Sequence, residues 1–569
     1  MSALTAYLLF GYLIVVLITS QAKKTENTKK YLLFSILMQV LFIGIWYYRF
    51  HPPINIHSLS FWAFLFIVTG TNILLFYKHS SNIEIPKDRK NFKFKMDSRS
   101  KTGKLTSLTI IGILVLVFLL VYVASTAIFS PVFRAKAYAE RIHVSTVDFD
   151  EIPPYRFNET AIIDRSSSQI LGDKVMGQMT DLVSQFSVSN EYSQISYKEG
   201  TYRVTPLAYD GFIKYMRNRG EGIPGYIIVN TTTGETQLVR LAQKMRYVPS
   251  AYFNENLYRK LRFQYPTEIF YDPTFEIDEE GNPWYVCTTY TFDGIDSRRQ
   301  VNGVILFNPV DGTSTKYSVE NAPTWIDRIY PEYLINEELN DYGQYQKGWI
   351  NSMIGQEGVI KTSEGYNYIS KNGDVWLYTG MTSVVSDNSN IGFMLVNLRN
   401  HEAQFIPTSG ADEYSIMASA EGEVLNYGYT ATFPVLVNIN DKPVYLLSLK
   451  DSAGLIKMYA LVDAQDYQQV YTIKADRNSK VAIETLIAEF SGGKSVNTDS
   501  LQSKTITIDQ IQTVVIDGNT TIFIKNKNDI YKLVLSEETS PKAIFLKEKD
   551  TVTVHYLELE DVNLIQSVD

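Results

Sequence analysis

One pattern recurs four times in this 569-residue chain and constrains its fold more than any other. An apolar run stops at Asn or Asp, a polar turn of about four residues follows, and a second alternating run begins. The copies are GYIIVNTTTGETQLVR (225–240), NGVILFNPVDGTSTKYS (302–318), IGFMLVNLRNHEAQFIP (391–407) and IKMYALVDAQDYQQVYT (456–472). Asn230, Asn308, Asn397 and Asp463 stand at the four stops. Alternating runs on both sides of a short polar turn predict a β-hairpin. Asn and Asp suit the position because their side chains bond nearby backbone amides and tolerate turn geometry. The second copy adds Asp311-Gly312, a strong turn dipeptide.

Each hairpin follows another strand-like run, at 200–209, 282–292, 373–383 and 442–451. Helical patterns precede these at 168–186, 252–264, 331–354 and 411–425. A helix with three or more antiparallel strands therefore repeats about every 65 to 90 residues, too long for a solenoid repeat. The expected organisation is an α+β unit at 166–245, a second at 246–325, a third at 326–410 and a fourth, with a trailing helix, at 411–498. Residues 131–165 read as a stalk, broken by Pro153-Pro154. Short strands over 499–569 predict a small barrel of the OB or SH3 type.

Four stretches near the N-terminus, 2–20, 31–48, 59–77 and 105–129, are apolar, uncharged and near the 20 residues a helix needs to cross a bilayer. The loops between them are uneven in charge. Lys23, Lys24, Lys29 and Lys30 lie after the first stretch and only Arg49 after the second. Lys78, Lys87, Arg89, Lys90, Lys93, Lys95, Arg99, Lys101 and Lys104 lie after the third. Basic loops remain in the cytoplasm. The expectation is a membrane-anchored α+β protein, with a four-helix transmembrane region over 1–130 and its N-terminus outside. A multi-pass location in the cell membrane follows, with a large extracytoplasmic C-terminal domain. Gln39 and Asn72, the most polar side chains in the spans, read as helix-to-helix hydrogen bonds and not as an ion path. Residues 1–130 carry a net +10, which leaves about −18 for 131–569 and argues against nucleic-acid binding.

The first hairpin also carries a resemblance. A helix followed by a hairpin whose turn reads Val229, Asn230, Thr233, Gly234 and Glu235 resembles the PepSY-type propeptide domain of bacterial envelope proteins. The other copies depart from that motif, with Asp311-Gly312, His401-Glu402 and Gln465-Asp466 at the turn. The likeness covers at most residues 166–475. It implies a regulator or inhibitor of a partner, often a protease, with no catalysis of its own. The whole layout is similar to that of Gram-positive membrane-anchored envelope proteins.

Chemical motifs are sparse. Cys287, the one cysteine, sits in a β-like run and reads as a small buried hydrophobe. None of His51, His57, His79, His143, His401 and His555 has a local motif spacing to it. Gly493-Lys494-Ser495 resembles the end of a phosphate loop. Position 488, where that motif needs glycine, is Ala, and the segment follows a helix instead of opening one. The acidic turns 278–282 and 293–296 lack the spacing of a calcium loop. Lys450-Asp451 reads as a solvated hairpin end, and the acidic run 336–341 as the wet face of a helix. No catalytic residue, cofactor or metal site is expected. The first functional expectation is a non-enzymatic envelope scaffold, a rigid arm of repeated units. Its partners are the membrane and other envelope proteins or cell-wall polymer. The alternatives are a regulator of an extracytoplasmic protease or other envelope enzyme, and an enzyme acting on wall polymers.

Overall fold

The computed structural model describes residues 28–80, 101–152, 154–363, 365–384, 386–475, 479–491, 502–516, 519–535, 541–557 and 562–568. Strand is the commonest element, at 38% against 31% helix, and it is divided among five sheets.

Four of the sheets share one plan. In the first, Phe186–Val188 and Ser193–Tyr197 both pair with Gly200–Tyr209, so they act as one edge strand broken in two. Gly200–Tyr209 pairs with Ile223–Asn230, which pairs with the outer strand Thr236–Met245. The second sheet repeats this with Ile269–Phe270 and Thr274–Ile277, then Pro283–Phe292, Arg299–Phe307 and Ser314–Tyr317. The third uses Ile360–Thr362 and Asn367–Lys371, then Asp374–Ser383, Ser386–Asn397 and Ala403–Ile406. The fourth uses Thr430–Ala431 and Val435–Ile439, then Lys442–Lys450, Ile456–Asp463 and Val470–Lys474. The inner strands are buried on both faces, as in Ile223–Asn230 and Asp374–Ser383, while the outer strand Thr236–Met245 alternates between exposed and part-buried residues.

Helices sit between successive sheets. Leu257 and Leu261, on helix Leu257–Gln264, share one core with Tyr226 of the first sheet and Tyr285 and Ile305 of the second. Helix Glu332–Tyr345 turns Leu334 toward Tyr290 of the second sheet, and Ile335 and Leu339 toward Leu377 and Val396 of the third. Helix Glu413–Glu423 places Ile416 and Ala420 between Phe393 of the third sheet and Leu447 of the fourth. Helix Ser479–Phe490 covers the far face of the fourth through Ile483 and Leu486.

The array closes on itself, and an extended arm of repeats does not form. The segment 152–164, read above as a stalk, runs from the fourth sheet to the first. The Asn438 side chain donates to the Ile152 carbonyl (2.8 Å), and Ser448 Oγ to that of Ile162 (3.2 Å). Ile162 and Ile163 then donate to Thr231 O in the first hairpin turn (2.9 and 2.7 Å).

The transmembrane expectation is corrected. The stretch 2–20 lies outside the described residues. The other three fall in helices Thr28–Phe50, Leu59–Ser80 and Lys101–Ile128. Among the described residues, no single helix is long and apolar enough to cross a membrane. Leu59–Thr69 is a shorter apolar part of helix Leu59–Ser80, and Val115–Ile128, within Lys101–Ile128, meets the length and composition of a span only as a pair with Pro131–Ala139, from which it is bent by 48°. The four-helix transmembrane region and the multi-pass membrane location are therefore not supported.

The C-terminal strands form one six-stranded sheet, in the order Gln502–Thr507, Thr551–Leu557, Asn563–Val568, Asp529–Val534, Asn519–Asn526, Gln510–Ile516. Its first and last strands are consecutive in the chain yet lie at opposite ends of the ladder. The sheet packs around Ile506, Ile522, Tyr531 and Val554, and among the described residues no pairing joins its two ends.

Candidate functional site

The four Asn/Asp turns are built alike. Asn230 Oδ1 accepts from the N–H groups of Thr232 and Thr233 (both 2.9 Å), and Asn308 Oδ1 from Val310 (2.8 Å). Asn397 Oδ1 accepts from Arg399 and Asn400 (2.8 and 3.1 Å), and Asp463 Oδ1 from Gln465 and Asp466 (2.8 and 3.1 Å). Four residues after the Asn, the first three turns need a left-handed residue. Gly234 and Gly312 supply it at φ +77° each, and His401 at +68°.

The carbonyl just after each Asn or Asp holds the start of its own unit. Thr231 O accepts from Ile162 and Ile163, Pro309 O from Arg246 and Tyr247, Leu398 O from Ile329 and Tyr330, and Ala464 O from Ala411. In each case a helix follows within about ten residues. The turn that resembles the propeptide motif is buried in this role. Thr231 and Thr232 are shielded from solvent, Thr231 Oγ1 lies 2.6 Å from Thr201 Oγ1, and Thr232 Oγ1 donates to Thr160 O (3.0 Å). Val229 is buried beside it, while Thr233 and Glu235 are exposed.

The other singled-out residues are likewise committed to structure. Cys287 is fully buried, and burial raises its thiol pKa far above the ordinary range. Asp278 Oδ1 accepts from the N–H groups of Glu280 and Asn282, and its Oδ2 from the Asn282 amide and the Trp284 indole, so donors fill the acidic turn. Asp293 pairs with Arg298. Among the described residues, no group of three or more His, Cys, Asp or Glu could hold a metal ion. Residues 493–495 lie outside the described residues. Lys450 is not a solvated end: it reaches Asp164 Oδ2 (2.8 Å) and Ser166 Oγ (2.9 Å) across the ring closure. The same lysine helps hold the Asp164 carboxylate near pKa 2 against the upward push of burial. The acidic run 336–341 is not a wet face either. Glu337 and Asp341 grip the buried guanidinium of Arg141 (2.7 and 2.5 Å), and buried Glu338 Oε2 lies 2.7 Å from His401 Nε2.

The second and third sheets meet over an ionic cluster. Arg328 binds Glu332 through two nitrogens (2.6–2.9 Å), and Tyr368 OH donates to Glu332 (2.8 Å). Burial pushes the Glu332 pKa up, but Arg328 and these hydrogen bonds outweigh it and leave the value lowered. Next to this pair, Ser196 N–H donates to Asp327 (2.8 Å) and Asp327 N–H to Glu276 (2.9 Å). Both carboxyls are inside the protein. Burial raises Glu276 to about 7, and burial together with the neighbouring Glu276 raises Asp327. These groups come from three units, and nothing local in the sequence marks them.

Above the cluster opens a cleft of about 480 Å³, lined by Asn302, Ser318, Glu320, Thr324, Tyr330 and Arg399 among others. Tyr330 stacks flat on the His401 ring at 4.1 Å. Arg399 is held from behind by Asp374 through two bonds of 2.8 and 2.7 Å. The turn of the third unit thus forms one wall of the cleft and the edge of the second sheet the other. The wall is mainly hydrogen-bonding, which fits a polar, extended ligand better than an apolar one.

No family profile matches the chain, and no curated protein matches it. One solved structure, an exo-beta-1,3-galactanase from Phanerochaete chrysosporium with beta-1,3-galactotriose, aligns over 60% of this chain and 60% of its own, at 7% identity and a TM-score of 0.15. A likeness at that level carries no argument about fold or activity.

Proposed function

We propose that the chain is a non-enzymatic binding scaffold whose partner is another protein or a cell-wall polymer. One observation carries this reading. The cleft lining contains a single carboxylate, Glu320, and its cation, Arg399, is already committed to Asp374. Hydrolysis of a glycosidic bond by acid–base chemistry uses two carboxyl groups facing one another across the substrate. Of the strongly shifted carboxyls, Glu276 and Asp327 are interior and join units together, Asp341 is held by Arg141 and Asp164 by Lys450. The remaining lining groups offer hydrogen bonds along a groove, which suits recognition without turnover.

The test is to titrate purified chain with solubilised peptidoglycan fragments and wall teichoic acid by calorimetry, and to assay the same mixtures for product. Binding that weakens at least tenfold in Asn302→Ala and Thr324→Ala, without product, supports the reading. Hydrolysis that disappears in Glu320→Gln overturns it.

A further inference from the structure

The two charges in the cleft between the second and third units are not equally engaged. The cation is already paired. Arg399 Nε and Nη2 donate to the two oxygens of Asp374 (2.8 and 2.7 Å), and the Asn397 amide donates to the second of these as well (2.8 Å). The anion is free. Glu320 is exposed on the short turn Val319–Asn321, and its carboxylate has no ion-pair or hydrogen-bond partner among the described residues. The lining therefore carries one uncompensated negative charge, on a chain whose net charge is −8. A cleft lined by one sign of charge concentrates ligands of the other.

The amides of the lining are aimed by bonds outside it. Asn302 is the extra residue where the ladder between Pro283–Phe292 and Arg299–Phe307 shifts register, between Val301 and Gly303. Its Oδ1 accepts from Thr289 Oγ1 (2.5 Å). Asn400 sits in the Asn397 turn, and its Oδ1 accepts from Glu402 N–H (2.9 Å). Both carbonyl ends are engaged, so both residues offer the cleft their NH2 groups. Arg399 Nη1 is a further donor beside them. A metal ion needs several oxygen ligands, which one carboxylate among amide nitrogens does not supply. A phosphate would meet Glu320 with no free cation to offset the repulsion. Three neutralised or neutral donors suit carbonyl oxygens, and the lone carboxylate suits an ammonium group. A peptide with a free amine carries both.

We propose that the cleft takes a lysine-bearing peptide, its ammonium group on Glu320 and its backbone carbonyls on Asn302, Asn400 and Arg399. This rests on the binding reading above and narrows it to one chemical class. The volume of about 480 Å³ lies within the roughly 300–1,000 Å³ of pockets that enclose small ligands.

The experiment is a ligand-observed magnetic resonance titration of the full chain at low salt with three tripeptides capped at both ends. The central residue is lysine in the first, Nε-acetylated lysine in the second and glutamate in the third. The lysine peptide should bind at least threefold more tightly than either of the others, the order of effect of one exposed ion pair. That advantage should vanish in Glu320→Gln. A smaller advantage, or one that survives in Glu320→Gln, overturns the proposal. So does a chain that binds none of the three. If peptidoglycan fragments or teichoic acid still bind to that chain, the binding reading stands without this inference, and if they do not, both fall.

Discussion

Replacing Glu276 by Gln tests the ionic junction between units directly. Glu276 is fully buried, and its carboxyl is raised from 4.5 to about 7, chiefly by burial. A carboxyl whose folded value lies above its unfolded value favours folding fully below the unfolded value, and that contribution is lost as pH rises through the folded value. The window is therefore pH 4.5 to 7, with stability falling as pH increases. At 1.36 kcal/mol per pH unit, the interval amounts to on the order of 3 kcal/mol. Asp327 is shifted in the same direction and adds to the slope. Glu276→Gln keeps a carbonyl oxygen for the Asp327 N–H but cannot ionise. Urea denaturation at half-unit pH steps should show the wild-type midpoint falling across the window and a markedly flatter profile in the variant. Tryptophan fluorescence is a suitable probe, because Trp284 pairs with Glu276 in the ladder and lies 6.1 Å from Trp325. Equal slopes in the two proteins would refute the assignment of the titration to Glu276.

Two further changes probe other joints. Arg141→Ala should destabilise the chain by about 3–5 kcal/mol, because it strands Glu338 and Asp341 in the interior; thermal melts would read it, and a loss below about 1 kcal/mol would contradict the burial argument. Asn397→Ala should cost about 1–2 kcal/mol through the lost turn bonds and the lost bond to Asp374. Thermal melts would read it, and a loss below about 0.5 kcal/mol would speak against the turn bonds.

Local chemistry was legible in the sequence and distant partnership was not. The hairpin turns could be read because an Asn side chain, its next two amides and a left-handed residue four places on lie within one short segment. The Leu257–Gln264 helix follows from periodicity and from its cap, Asn256, which accepts from Arg259 N–H, whereas Glu413–Glu423 has little periodicity and is marked by its cap, Asp412, which accepts from Ser415 N–H. The run 336–341 was misread because its counter-charge, Arg141, lies some two hundred residues upstream. Segment 152–164 carries tandem prolines and looks like a spacer, yet its carbonyls and amides complete the contact of the last sheet with the first. The apolar stretches at 31–48, 59–77 and 105–129 fall in helices, yet among the described residues no single helix is long and apolar enough to cross a membrane, and the one pair that comes near is bent by 48°. Nothing in the cleft could be foreseen, because its two walls belong to different repeats.

Closure of the array has a consequence for its history. An open solenoid gains or loses repeats at its ends with little effect on the others, since each repeat touches only its neighbours. Here the segment joined to the fourth sheet is bonded to the turn of the first. Removing one unit would leave two mismatched faces, and adding one would part Ser448 from Ile162 and Asn438 from Ile152. The count of four is fixed by geometry, so such a chain diversifies by substitution within its units, and duplication of a unit is a closed route.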